Sequence, residues 1–426
     1  MGILIEIGSF IKLQRTKQDM TLGDLADGIV SVSYLSKIEN LKTQASPEII
    51  QLLCNRLGIQ VDNSEEQAIK EKCKEWYSML FKVNDKEKII ATYKEIQEMM
   101  DTNLSENLLM FEIHKIRYYL ILNQYDKALK KINELSEISD NFDNLQDFYW
   151  NKFRGNYYSL ANVDYHQAMF YYKKSEEKIM HIDIGEDEAA DLKYIIAVTH
   201  SELRNTLESI DYANQALAVF MKQYNFHRCA QCHIVLGISY RRIKMYEKAI
   251  KNYNLAKHLA ELNNNKQVNQ QTTYNLGNLY STIGESEEAI KYYSEVVEDN
   301  EVHLHEKLIA ITSLIKEYYK IGNIDKTREM INEAKALLDS VKNSVYYQLY
   351  YYIIYTYTYK LNGEDDRFKS LVKDKFIPYL RKNKDYGNLV AYSNMLANHF
   401  ESIGRYKESV KYYKLANETY EKLINL

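Results

Sequence analysis

Tyr274-Asn-Leu-Gly-Asn-Leu-Tyr-Ser-Thr-Ile-Gly-Glu-Ser-Glu-Glu-Ala-Ile290 is the stretch that decides the fold. Its last pair, Ala289-Ile290, puts a small side chain before an aliphatic one in a helix. The same pairing recurs at Ala128-Leu129, Ala168-Met169, Ser209-Ile210 and Ala249-Ile250. The steps along the series to Ala289 are 40, 41, 40 and 40 residues. Thr327 and Ser409 continue it, with a degenerate unit near Phe368. A fixed period in this range marks a solenoid of helix pairs, because one pair cannot bury its apolar face without neighbours. Stacked helix pairs make a concave surface rather than a catalytic cleft. The expectation is therefore binding, not chemistry.

Composition points the same way. The 426 residues suffice for two or three ordinary domains, or for one small domain plus a long solenoid. Two prolines, Pro47 and Pro378, and fourteen glycines favour long helices with tight turns over sheets. Of the 39 tyrosines, 17 stand beside another tyrosine, all of them inside the repeats. A net charge of −4 supplies no global basic field for nucleic acid or anionic lipid. Residues 1–60 carry six Lys/Arg and six Asp/Glu, so any DNA contact there must come from a local patch. No stretch has a signal-peptide pattern and no apolar run is long enough to span a membrane. Cys54, Cys73, Cys229 and Cys232 make no disulfide framework for a chain this long. These features predict a soluble cytoplasmic protein with no membrane partner.

Residues 1–60 read as a bundle of short helices, 61–66 as a linker and 67–426 as the solenoid. Ile5, Ile7, Phe10, Ile11 and Leu13 form the first apolar stripe. Thr21 caps a helix over Leu22–Asp27, and Gly28 marks a turn. Ser31 or Ser33 starts a third helix that ends near Asn40. Pro47 suits the first turn of a fourth, which Gly58 stops. Beyond the linker, Gln67–Phe81 and Lys86–Met100 make a divergent hairpin. Eight further pairs follow, the last being Asn388–Ser402 with Tyr406–Leu426. Val345–Tyr359 is locally strand-like. It is assigned to helix because it fills a first-helix slot, and tertiary context overrides propensity.

Ser31-Val-Ser-Tyr-Leu-Ser-Lys-Ile-Glu-Asn40, preceded by Met20-Thr-Leu-Gly-Asp-Leu-Ala26, resembles the helix-turn-helix of the phage-repressor (XRE) type over residues 5–60. In that fold the second helix of the motif enters the major groove of double-stranded DNA. The resemblance implies that Val32, Ser33 and Lys37 face bases, and that Thr21, Ser31, Asn40 and Lys42 face phosphates. Lys37 would donate to guanine, and Val32 would meet a thymine methyl. Two departures weaken the implied phosphate grip: Leu22 where the family usually has Gln, and Leu41-Lys42-Thr43 where it usually has Gly-Lys-Arg. Tyr34, Leu35 and Ile38 read as core or support. One motif per chain implies a dimer on two half-sites. The competing reading is a bundle that mediates protein contacts only.

The Tyr274–Ile290 stretch resembles a tetratricopeptide repeat, as do Leu236-Gly-Ile-Ser-Tyr240 with Tyr246-Glu-Lys-Ala-Ile250. The implied fold is all-α, a right-handed superhelical solenoid of about nine helix pairs. In such repeats the first helix of each pair lines the inner surface. The residues projected there are Arg117, Lys152 and Asn156, then Arg241, Tyr274 and Asn278 with Asn275 flanking, then Lys316, Asn394 and Asn398. A carboxamide can pair with both N–H and C=O of an extended peptide. The recurrence of Asn at inner slots therefore suggests a peptide backbone as ligand. Arg117, Lys152 and Lys316 would hold a carboxylate. The tyrosine pairs 118–119, 171–172, 292–293 and 412–413 read mostly as repeat core.

Together the two halves resemble the peptide-pheromone receptors of low-GC Gram-positive bacteria, the Rap, Rgg, NprR, PlcR and PrgX (RRNPP) group. Length and domain order fit the NprR type. The resemblance implies a quorum-sensing transcription regulator that binds a short imported signalling peptide, self-associates through its repeats, and changes DNA binding when peptide arrives. It also implies, as an alternative, a Rap-like role in sporulation through binding a phosphorelay response regulator. No cofactor and no enzymatic activity are expected. Cys229 and Cys232, with His227 and His233, have metal-like spacing but lie within a repeat helix and lack a second cysteine pair. His303 and His305 have no evident partner, and no phosphate loop or nucleophile elbow occurs.

Overall fold

The computed structural model describes residues 3–59, 65–82, 85–103, 105–344 and 346–425. Among them no β-strand forms. The chain makes two compact units, residues 1–192 and 193–426.

The first unit opens with four helices: α1 (Ile3–Lys17), α2 (Leu22–Ala26), α3 (Val32–Glu39) and α4 (Pro47–Arg56). Local chemistry sets their ends. Thr21 and Asp24 form a capping box at α2. The Ser31 hydroxyl accepts from the Tyr34 N–H, so Ser31, not Ser33, starts α3. Ser46 caps α4 with Pro47 in its first turn. Ile7, Phe10, Ile11 and Leu13 are buried; the Ile5 side chain lies outside the described residues. Gly8 sits so close to α3 that a Cβ there would fall 2.0 Å from the Ile38 carbonyl oxygen. Of the expected linker, residues 61–64 lie outside the described residues, and Glu66 already opens α5 (Glu66–Lys82). α5 pairs with α6 (Lys86–Thr102), α7 (Leu108–Ile121) with α8 (Tyr125–Ser136), and α9 (Asn144–Tyr157) with α10 (Tyr165–Lys178). One apolar core runs from Ile7 in the bundle to Tyr157 in the repeats. α11 (Glu186–Glu202) crosses the division between units.

The second unit continues with α12 (Thr206–Lys222), then the pairs α13 (Phe226–Arg242) with α14 (Tyr246–Leu262), α15 (Lys266–Ile283) with α16 (Ser286–Glu298), and α17 (Leu304–Lys320) with α18 (Ile324–Leu338). α19 (Tyr347–Leu361) covers the tyrosine-rich stretch and is helical, as its slot demands; Val345 lies outside the described residues. Its partner is broken into α20 (Asp365–Ser370) and α21 (Ile377–Lys382) by a wider π-type turn over Leu371–Phe376. Phe368, fully buried, occupies there the slot that other repeats give to a small side chain. α22 (Tyr386–Ser402) and α23 (Tyr406–Asn425) close the chain.

The 40-residue period has a steric cause. Ala128, Ala168, Ser209, Ala249, Ala289 and Thr327 are all completely buried where paired helices cross. On the facing helices, Gly155, Gly237 and Gly277 receive the rings of Tyr172, Tyr253 and Tyr293. A Cβ at Gly237 would lie 2.5 Å from a Tyr253 ring carbon. Ring and glycine act as knob and hole, which sets how closely paired helices approach.

Candidate nucleic-acid interface and ligand-facing helices

α3 carries the candidate DNA contacts in the first unit. Ser31, Val32, Ser33, Lys37, Asn40 and Lys42 are exposed, while Leu35, Ile38 and Glu39 beneath them are buried. Val32 is half exposed, an apolar side chain left in water near the helix start. Asn40 Nδ2 donates to the Ser36 carbonyl at 2.8 Å and finishes the helix. The Thr21 hydroxyl is engaged within its own cap, donating to Asp24 at 2.6 Å. Leu22 packs against the bundle core rather than facing outward as a glutamine would.

Two buried ion networks hold this helix in place, and neither was visible in the motif. Arg15 grips Glu39 with both arms, Nε to Oε1 at 2.7 Å and Nη2 to Oε2 at 2.9 Å. Its third nitrogen donates to the Met20 carbonyl at 2.7 Å. That fork ties α1 to α3. From the other side of α1, Lys17 reaches Glu112 of α7 at 2.7 Å. Glu112 has no exposed surface and also meets Lys115 at 3.2 Å and Lys131 at 2.7 Å. Burial alone would raise its pKa, but Lys115, Lys17 and Lys131 together hold it well below the usual carboxylate range. The bundle is thereby joined to the first repeats by charge as well as by core.

The candidate ligand-facing residues divide between the units. In the first, Arg117 is half buried on α7. Lys152 corrects the expectation of a free carboxylate clamp. Its ammonium is buried and paired with Glu188 at 2.6 Å and Asp191 at 2.9 Å. Desolvation opposes its charge, but those two carboxylates prevail and raise its pKa. An ammonium so neutralised holds no ligand carboxylate. Asn156 is buried, and its Oδ1 accepts from the Tyr172 hydroxyl at 2.9 Å.

In the second unit, Asn278 Oδ1 accepts from Tyr293 at 2.8 Å and Asn398 Oδ1 from Tyr413 at 2.5 Å. Asn156, Asn278 and Asn398 thus repeat one device: a tyrosine on the partner helix holds the amide oxygen. The Asn278 amide also donates toward the Tyr274 hydroxyl, while the Nδ2 groups of Asn156 and Asn398 make no hydrogen bond among the described residues and are left as oriented donors. Asn275 and Asn394 are half buried, without a side-chain hydrogen bond among the described residues. The Tyr274 hydroxyl lies 3.3 Å from that of Ser313. Lys316 is half buried, donates to Asn388 Oδ1 at 3.3 Å, and lies 5.9 Å from the centre of the Tyr392 ring. Burial lowers its pKa, against Asp385 and Glu317. Arg241 is half buried at the end of α13.

No group of His, Cys, Asp or Glu able to hold a metal occurs among the described residues. Burial pushes the Cys229 thiol up to about 11. No helix among the described residues is long and apolar enough to cross a membrane.

A helix-turn-helix family model matches residues 11–62, and a tetratricopeptide-repeat model matches residues 271–300. The chain is 34% identical to the transcriptional activator NprA of Geobacillus stearothermophilus, over 94% of this chain and 100% of that protein. It is 25% identical to the regulatory protein RapF of Bacillus subtilis, over 81% of this chain and 92% of that one. The apo form of the quorum sensor NprR from B. thuringiensis superimposes with a TM-score of 0.70 at 22% identity, over 83% of this chain and 99% of that chain. NprR in complex with its cognate peptide NprX gives 0.61 at 22% identity, over 84% and 99%.

Proposed function

This chain belongs to the RRNPP-type family of regulators, and on that premise we propose that it is a cytoplasmic transcription regulator gated by a short signalling peptide. The observation that carries the reading is the pairing of two features in one chain. An exposed recognition helix is bolted to the first repeats, and oriented asparagine donors recur on first helices of later repeats. Val32, Ser33 and Lys37 read bases, while Ser31, Asn40 and Lys42 position the bundle on phosphates. Asn278, Asn394 and Asn398, with Asn275 and Tyr274, hold the peptide main chain. A dimer places two bundles on two half-sites. Domain roles follow the sequence division, with DNA binding before residue 60 and peptide binding and self-association after 66.

The gating is linkage. A peptide that binds one arrangement of the repeats better than another shifts the population toward it. A coupling of ~1–3 kcal/mol changes DNA affinity about 5- to 150-fold. The protein acts by binding and uses no cofactor. A second reading, in which the repeats also bind a response regulator, draws on the likeness to the response regulator aspartate phosphatase A of Bacillus subtilis.

The test is salt-dependent binding to the gene's own upstream DNA, with and without a synthetic peptide from an adjacent small reading frame. Peptide-sensitive, specific binding is expected. Asn278→Ala and Asn394→Ala should weaken the peptide effect and spare peptide-free DNA binding. Absence of specific DNA binding in both states sinks the reading and favours capture of a receiver domain.

A further inference from the structure

Three arginines in the second unit lie close enough to repel one another. Arg204 lies in the turn between α11 and α12, with a left-handed φ of 62°. Arg242, at the end of α13, donates through Nη1 to the Ser201 hydroxyl at 3.0 Å and to the Ser201 carbonyl, which brings it beside that turn. Arg241 reaches the Thr282 hydroxyl at 3.4 Å, and its Nε is buried with no partner. All three are half buried. None forms an ion pair among the described residues; Arg241 disfavours charge on Arg204, and Arg204 and Arg241 both disfavour it on Arg242.

Burial first, then Arg204, hold the Arg242 guanidinium down to about 10. Glu202 opposes that effect, and at Arg204 Glu202 outweighs Arg241, with Asp385 adding to it. The Asp385 carboxylate is already engaged at the start of α22, accepting from the N–H and Nδ2 of Asn388 at 3.1 and 2.7 Å. Asp385 also faces Lys316, a fourth half-buried cation without an ion pair among the described residues. A guanidinium does not shed its proton at working pH, so the mutual repulsion persists. Folded interiors ordinarily pair such charges.

We propose that Arg204, Arg241 and Arg242 are the carboxylate-binding end of the ligand groove, gripping an acidic side chain or the C-terminal carboxylate of a bound peptide through their planar forks. This rests on the peptide-receptor reading and assigns to these arginines the part that Lys152 cannot play. The placement suits a peptide. Thr282, which Arg241 touches, donates to the backbone carbonyl of Asn278, one turn earlier on α15. A carboxylate held by the arginines would therefore lie near a donor for the adjoining main chain.

The probes are fluorescent heptapeptide pools, with or without Asp/Glu and with a free or amidated C-terminus, titrated against the full-length protein by polarisation. Wild type should bind carboxylate-bearing pools about tenfold to a hundredfold tighter than acid-free, amidated ones. Arg241→Gln and Arg242→Met should bind both alike. The side-chain and C-terminal forms tell which carboxylate is used. Thermal melting of the ligand-free variants gives a readout that a purely structural role would reverse. Arg241→Gln should melt at or above the wild-type temperature because repulsion is relieved. Equal affinity of wild type for both kinds of pool overturns the anion site and leaves the peptide reading standing. Binding of no pool in any form overturns both. A lower melting temperature for Arg241→Gln with the acid preference intact overturns the proposal alone.

Discussion

Removing the charge of Glu112 tests how the helix-turn-helix bundle is joined to the repeats. In Glu112→Gln, three ammonium groups within 3.2 Å lose their shared carboxylate. The side chains of Lys115 and Lys131 are 6% and 8% exposed, and that of Lys17 is 23% exposed. Stripping one partner from a buried ion network costs ~3–5 kcal/mol, because it strands the opposite charge. Two lysines keep secondary partners, Lys131 with Glu134 at 2.5 Å and Lys115 with Gln97 at 2.8 Å. The low end, about 3 kcal/mol, is therefore expected, or a fall of roughly 6–12 °C in melting temperature for a unit of this size.

The pH dependence has a definite sign. The folded pKa of Glu112 is depressed, so its stabilisation is complete above the unfolded value near ~4.3 and is lost as pH falls below it. Wild type should lose melting temperature between about pH 5 and pH 3 more steeply than Glu112→Gln. Circular-dichroism melts of both proteins at pH 7, 5 and 3 measure this. A Glu112→Gln protein as stable as wild type at pH 7, or one with the same acid slope, would refute the reasoning.

Other perturbations follow from the same geometry. Gly237→Ala pushes a methyl to 2.5 Å from the Tyr253 ring and should cost about 1–3 kcal/mol, read as a lower urea midpoint. Lys42→Ala should weaken DNA binding evenly across sequences and reduce the slope of log K against log salt by about 0.9, whereas Lys37→Ala should relax base preference. Tyr293→Phe frees the Asn278 amide from its 2.8 Å hydrogen bond, so peptide affinity should fall while melting shifts by only about 0.5–1.5 kcal/mol. Unchanged affinity in Tyr293→Phe would mean that the tyrosine does not orient the amide.

Much of the architecture could be read from the chain because its causes are periodic. The buried small residues from Ala128 to Ser409 mark each helix crossing, and the tyrosine-rich stretch is helical because its slot in the period requires it. The break opposite it was legible as a degenerate unit at Phe368, although not as a π-type turn. The candidate sites were legible only in part. Val32, Ser33 and Lys37 were singled out by the resemblance to a helix-turn-helix, and all three are exposed on α3. The tyrosine partners of the asparagines left a signal that went unread, since Asn278–Tyr293 and Asn398–Tyr413 share one separation of 15 residues. The fate of Lys152 left none.

By itself the sequence determined the helices, their caps and the repeat, because these depend on contacts a few residues apart and on side-chain size recurring with a period. Tertiary structure alone decided which charges are satisfied. Lys152 meets a carboxylate 36 residues away, Lys17 meets one 95 residues away, and Arg204, Arg241 and Arg242 gather with no ion pair among the described residues. The reason is physical. An ion pair depends on distance and burial, and both are set by how one helix pair stacks on the next, not by the identity of residues near in the chain.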